Sequence, residues 1–329
     1  MLIEDVGIGV LFLLAFASGA NDVGKSVATI VETHGARSIR RALAFGGLFS
    51  ALGSVTAVLI ATQLLSTFTS TLLTPTPADT FILAALSGTL VWILGATLLR
   101  LPVSLTHAIV GSILFLAVYL FGLHSLAWTS IILRVFLPLA GGPLAAFLLG
   151  YLVHRLKHGP ATPSPDTAKK PGRLLGAAHW SSVAATSFAR GINDAPKMIA
   201  LGIIILPATL KTSTWQPYAL VGIAVFLGSI IWGHWVTQTL VGRFIPLSHD
   251  RRVTAGVATA ALVSFGALLG APLSTTHMTA GAHAGISGAK REHLQSTLVS
   301  FLIAWLVTLP LAGLLSIGTF LLIGRIPGF

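Results

Sequence analysis

The chain has 329 residues, of which 54% are hydrophobic and only 9% charged, against about a quarter charged in soluble domains. This excludes an ordinary soluble globular protein and points to a polytopic membrane protein, with the abundant Gly and Pro fitting closely packed or broken transmembrane helices. The absence of Cys excludes disulfides, thiolate metal sites and a Cys nucleophile. The net charge of +11 is spread between apolar segments, not gathered in the block a nucleic-acid partner would need.

In chain order, the first apolar segment covers 6–31. At ~1.5 Å per residue it exceeds a ~30 Å hydrocarbon core, so tilt or a break is expected, the break bracketed by Gly19 and Gly24. A basic loop (Arg37, Arg40, Arg41) leads to an apolar helix over 42–65, then a polar loop over 66–79. Apolar segments over 81–99 and 108–122 flank Pro102-Val103-Ser104-Leu105-Thr106-His107, and another ends near His154. Residues 155–173 are Pro-rich and basic and read as a linker between a first repeat, 1–154, and a second, 174–329. The second half has apolar runs over 177–206 and 219–241, then Arg243, Arg251 and Arg252. A segment over 253–270 leads to Pro272-Leu273-Ser274-Thr275-Thr276-His277, followed by Lys290-Arg291 and a last helix over 294–323. The acidic N-terminus (Glu4, Asp5) does not read as a cleavable signal.

Only about a dozen residues separate the second Ser-Thr-His motif from Lys290, ~18 Å as helix and too short to cross. That motif is therefore expected at the tip of a hairpin that enters and leaves on one side. With one hairpin and three spans per half, 13 of the 20 Lys and Arg fall on one side, and Lys211 and Arg325 on the other. The positive-inside rule makes the basic side, linker included, cytoplasmic and puts both termini outside. An odd number of spans per half inverts the second half. The expected fold is an all-α polytopic membrane protein of two inverted-topology repeats, each with about three spanning helices (one broken) plus a re-entrant helical hairpin, as in secondary transporters.

Of nine Asp and Glu, only Asp22 and Asp194 lie well inside apolar segments. Both belong to one repeated motif, Gly19-Ala20-Asn21-Asp22-Val23-Gly24-Lys25 and Gly191-Ile192-Asn193-Asp194-Ala195-Pro196-Lys197, at an offset of 172 residues. A charge in the apolar phase costs roughly 2.5 kcal/mol or more, so a duplicated one marks a site. The plainer reading is that Asp22–Lys25 and Asp194–Lys197 neutralise each other at i, i+3. The Pro-x-Ser-x-Thr-His tips repeat at an offset of 170, extended by Gly111 and Gly281. Hydroxyls beside free N–H groups at a helix start suit a tetrahedral oxyanion, and helix capping is the alternative. His107 and His277 cap, orient or titrate at these tips. Arg100 attracts anions or snorkels, and Arg190, where the first motif has Ser18, adds positive charge near the site. Glu32 and Arg134 read as interhelical or interfacial, and most Trp as interface anchors. Gly24-Lys25-Ser26 lacks the rest of a P-loop, and no nucleophile, metal-ligand set or cofactor loop is present, so no enzyme activity and no cofactor are expected.

With these four motifs in order, the sequence resembles the inorganic phosphate transporter (PiT) family, in a bacterial-type form, over essentially the whole chain outside the linker. The resemblance implies secondary active transport of inorganic phosphate across the plasma (inner) membrane by alternating access, coupled to H⁺ or Na⁺, in a homodimer within the lipid bilayer. Carried over by position, Asp22, Ser104, Thr106, Asp194, Ser274, Thr275 and Thr276 bind substrate. Asn21, Lys25, Asn193 and Lys197 serve cation coupling, with any sodium near Asn21, Asp22, Asn193 and Asp194. The family pattern commonly has a second Asn where this chain has Lys25 and Lys197. An amide oxygen coordinates Na⁺ and an ammonium repels it, so the departure favours H⁺. A sulfate or other oxyanion permease, or a passive anion channel, stays open at this point.

Overall fold

The computed structural model describes residues 2–70, 72–158, 172–207, 210, 215–241, 247–288, 295, 299 and 302–326. Most of the expected linker, Lys211, Arg243, Lys290 and Arg291 lie outside these. The described chain is almost wholly helical, because a backbone in hydrocarbon must satisfy its own hydrogen bonds. Its first half comprises α1 (Leu2–His34), α2 (Ile39–Ile60), α3 (Thr62–Ser70), α4 (Asp79–Leu98), α5 (Leu105–Phe121), the short α6 (Trp128–Ile131) and α7 (Leu137–His158). The second half comprises α8 (Arg173–Gly202), α9 (Gln216–Leu240), α10 (His249–Leu268), α11 (Thr275–Ile286) and α12 (Leu309–Ile323). Six helical stretches are long and apolar enough to cross a membrane. Large apolar side chains such as Leu52, Leu59, Leu148, Ile223 and Leu314 face outward, while charged and polar ones such as Asn21, Asp22, Lys25, Asp194 and Lys197 are buried. The chain is a multi-pass membrane protein.

Three sequence expectations change. The break at Gly19–Gly24 is absent: α1 is one helix of 33 residues, and α8, carrying the second motif, one of 30. These glycines instead admit a neighbour. A Cβ on Gly19 would lie 2.1 Å from Val225 O of α9, and one on Gly191 2.1 Å from Ser50 O of α2. Departures from α geometry fall elsewhere, between α2 and α3 at Ala61 and in π turns at Ile132–Phe136 and Ala304–Thr308. The polar loop begins later than expected, since α3 runs to Ser70. Arg251 and Arg252 are not loop charges but are buried in the first turn of α10, where Arg252 Nη1 pairs with Glu32 Oε2 at 2.8 Å. That pair makes Glu32 interhelical, as the sequence suggested.

The halves interlock. α1 packs on α9 and α2 on α8, while α7 packs against α11, and α12 against α4 and α5. The π turns and the Leu-Pro-Leu-Ala-Gly that follows each, 137–141 and 309–313, repeat at the motif offset of 172. α4 and α5 form a hairpin that starts and ends at one end of the molecule, where Leu73 pairs with Leu126 and Thr74 N donates to Ser125 O at 3.0 Å. α10 and α11 form the second hairpin. Each descending arm stops on a left-handed residue, Arg100 (φ 58°) or Gly270 (φ 74°), with Leu101 N bonded to Ala96 O and Ala271 N to Gly266 O. Each returning arm starts on a Ser N-cap, with Ser104 accepting from His107 N and Ser274 from His277 N. The capping reading of these serines is therefore correct, and it leaves them at the tips.

Candidate functional site

Two helices hold two tips. On α1, Asp22 and Lys25 share a face because three residues make nearly one turn, and Lys25 Nζ donates to Asp22 Oδ1. On α8, Lys197 Nζ donates to Asp194 Oδ1 at 3.1 Å. Each ammonium also reaches the extended backbone of its own half's tip: Lys25 donates to Val103 O, and Lys197 to Leu273 O at 3.0 Å. The Asn beside each Asp completes the clamp. Asn21 Oδ1 accepts from Val103 N at 3.1 Å, and Asn193 Oδ1 from Leu273 N at 3.3 Å. Asn21 Nδ2 donates to Leu101 O and Thr97 Oγ1, and Asn193 Nδ2 to Leu273 O and Asp194 Oδ1. Irregular backbone buried in a membrane protein needs such partners. The repeated Asn-Asp-x-x-Lys supplies them at both tips.

The tips meet each other. Ser104 Oγ lies 2.9 Å from Ser274 Oγ. Thr106 Oγ1 donates to Leu273 O across the seam at 3.1 Å and accepts from Lys197 Nζ at 2.7 Å. Its counterpart by offset, Thr276, is only half-buried and takes no part in the network, so the pairing of the tips is asymmetric. Behind the seam the His107 and His277 rings stack edge to face, centroids 4.8 Å apart, and His107 Nδ1 lies 2.8 Å from Ser104 Oγ. The two histidines thus back the tips.

Arg190 joins the halves. From α8 its Nη1 donates to Thr275 Oγ1 at 2.6 Å and lies 3.4 Å from Asp22 Oδ1, while Nε donates to Ser26 Oγ at 3.3 Å. Asp22, Lys25, Arg190, Asp194 and Lys197 are each 6% exposed or less. Asp22, Asp194, Arg190, Ser18 and Ser50 line a cavity of about 10 Å³, room for one water-sized sphere. Of the expected residues, Thr276 stays outside the network, and Arg100 stands apart altogether: it is exposed, and its place is the hairpin turn. Among the described residues no three His, Asp or Glu side chains gather as metal ligands.

Residues 18–159 and 159–316 match the profile of the phosphate transporter family. The chain belongs to that family. A Mycobacterium bovis protein named "Probable low-affinity inorganic phosphate transporter" is 27% identical over 326 residues, covering 95% of this chain and 76% of its own length. A Bacillus subtilis protein of the same name is 27% identical over 313 residues, covering 91% of both chains. Among solved structures, one described as "The sodium-dependent phosphate transporter" aligns with a TM-score of 0.84 and 22% identity, covering 99% of this chain and all of that one. At that identity the likeness shows a shared fold.

Within this family fold, the sequence reading missed several partners. Ser18 donates to Asp22 Oδ2 at 3.1 Å, and Thr97 receives Asn21. Ser18 had a signal, its match by offset to Arg190; Thr97 had none. Trp305, one of the expected interface anchors, packs on His107 with centroids 5.2 Å apart. The repeated Leu-Pro-Leu-Ala-Gly just after it was the available clue.

Proposed function

We propose that this chain is a secondary transporter that moves inorganic phosphate across the plasma membrane by alternating access, its two halves, 1–154 and 174–329, acting as inverted repeats joined by a cytoplasmic linker. The observation that carries the reading is the seam between the tips, Ser104 against Ser274, held over two buried Asp–Lys pairs. Phosphate oxygens would take the place of the hydroxyl contacts that Ser104, Thr106, Ser274 and Thr275 now make, with helix N-termini adding partial positive charge. Each tip is clamped to its own half, so parting the seam exposes the site without breaking either clamp. Phosphate in the names of the bacterial relatives supports the substrate.

Coupling to H⁺ is the reading we favour over Na⁺. Lys25 and Lys197 already place a positive charge on each Asp, and the amide oxygens of Asn21 and Asn193 accept from tip N–H groups. A sodium ion near Asn21, Asp22, Asn193 and Asp194 would have to share them. The test is uptake of labelled phosphate by proteoliposomes under an imposed pH gradient, with Na⁺ replaced by choline. Accumulation above equilibrium is expected. Uptake equal to that of empty vesicles, with sulfate accumulating instead, overturns the substrate, and equilibration without accumulation makes the protein a passive channel.

A further inference from the structure

The charges buried at the site do not cancel. Asp22 and Asp194 bring two negative charges, and Lys25, Lys197 and Arg190 bring three positive ones. Each Lys is matched by the Asp three residues before it, which leaves Arg190 as the surplus. It shares Asp22, already engaged by Lys25 and Ser18. Its Nη2 is buried and has no hydrogen-bond partner, although a guanidinium presents five N–H donors and buried donors are normally paired. The first half has no such group, because Ser18 stands at the matching position. An unmatched charge with idle donors, beside a cavity that holds one water-sized sphere and must widen as the tips part to admit more, is suited to an anion.

The other wall supplies the opposite chemistry. Both hydrogen bonds to Asp194 fall on Oδ1, one from Lys197 and one from Asn193, leaving Oδ2 free to accept another. A ligand that satisfies both walls offers an oxygen to Arg190 Nη2 and an O–H to Asp194 Oδ2. We infer that Arg190 is the principal anion ligand of this site and that, with Asp194, it selects oxyanions that still carry a proton, phosphate or arsenate, over sulfate. Arg190 Nη1 contacts Thr275 and Asp22; an entering anion would take the guanidinium from them, and Lys25 and Ser18 keep Asp22 satisfied. Sulfate has no proton to give at neutral pH and meets the Asp194 carboxylate lone pair to lone pair. A site built around a substrate hydroxyl rejects the analogue that lacks it. The inference rests on the phosphate reading above and adds the residue and the selection rule.

The experiment is equilibrium binding of phosphate, arsenate and sulfate at pH 7 to purified wild type, Arg190→Lys, Arg190→Ser and Asp194→Asn, each checked for a single size-exclusion peak. Wild type is expected to bind phosphate and arsenate alike and sulfate at least a hundredfold more weakly. Arg190→Lys, which keeps charge but loses the planar fork, and Arg190→Ser should each weaken phosphate at least tenfold without gaining sulfate. Asp194→Asn, whose amide can donate to an oxyanion, should bring phosphate and sulfate within tenfold of each other. Phosphate affinity within twofold of wild type in Arg190→Lys overturns the role of Arg190, and this variant decides the matter if Arg190→Ser does not fold. Equal binding of phosphate and sulfate by wild type overturns the selection rule. Wild type that binds neither and takes up no phosphate overturns the functional reading itself.

Discussion

Ser104 and Ser274, 170 residues apart in sequence, touch hydroxyl to hydroxyl at 2.9 Å where the two hairpins meet. Each also caps the helix behind it, so one oxygen serves the turn, the seam and the proposed ligand. Ser104→Ala and Ser274→Ala are expected to raise the apparent KM for phosphate tenfold or more, since a hydrogen bond to a charged group contributes about 1.5–3 kcal/mol. Loss of the cap should add about 1 kcal/mol of destabilisation. Initial-rate uptake and thermal denaturation measure the two effects, and an unchanged KM moves the anion site elsewhere.

Asp22→Asn and Asp194→Asn are each expected to abolish phosphate uptake while leaving a folded protein. The stability costs should differ. Asp22 faces two cations, Lys25 and Arg190, whereas Asp194 faces Lys197 alone. Removing one partner of a buried ion pair costs about 3–5 kcal/mol, so Asp22→Asn should lower Tm further than Asp194→Asn. Normal uptake by either variant makes that carboxylate structural.

Lys25→Asn and Lys197→Asn restore the residue common in the family. Uptake is expected to be crippled or to become Na⁺-dependent, because the amide can coordinate the ion that the ammonium excludes. Lys197→Asn should be the more damaging, since both ammoniums hold a tip carbonyl but only Lys197 also holds Thr106. The comparison is uptake in Na⁺ against choline at fixed pH. If wild-type uptake collapses in choline, the ammonium-for-sodium idea is wrong.

Arg100→Gly is expected to stabilise the protein by about 1 kcal/mol and leave the phosphate KM unchanged. Arg100 holds a left-handed φ of 58°, a conformation that costs a side-chain-bearing residue about 1–2 kcal/mol and glycine little. The second half has Gly270 at the matching turn. Gly270→Ala should destabilise by more, because its Cβ would also press on Gln63 Cβ and O at 3.1 Å. Thermal denaturation of both variants reads the signs, and a raised KM in Arg100→Gly would return this residue to the anion path.

Composition alone made this a membrane protein, and two exact repeat offsets divided it into matched halves. Spacing along a helix is local, so the Asp22–Lys25 and Asp194–Lys197 pairs could be read from i, i+3 geometry. The Ser caps could be read from Pro-x-Ser-x-Thr-His for the same reason. Gly19 and Gly24 were ambiguous, because glycine serves a break and a close approach equally well. Only the packing of α9 against α1 chose the approach. No local rule links Asn21 to the backbone of Val103, 82 residues away, or Arg190 to Ser26, 164 away. The first exists because the α4–α5 hairpin folds its tip back onto α1, and the second because the halves interlock, bringing α8 of one beside α1 of the other. Which buried groups neutralise one another, and which charge is left for a ligand, was therefore decided by tertiary structure.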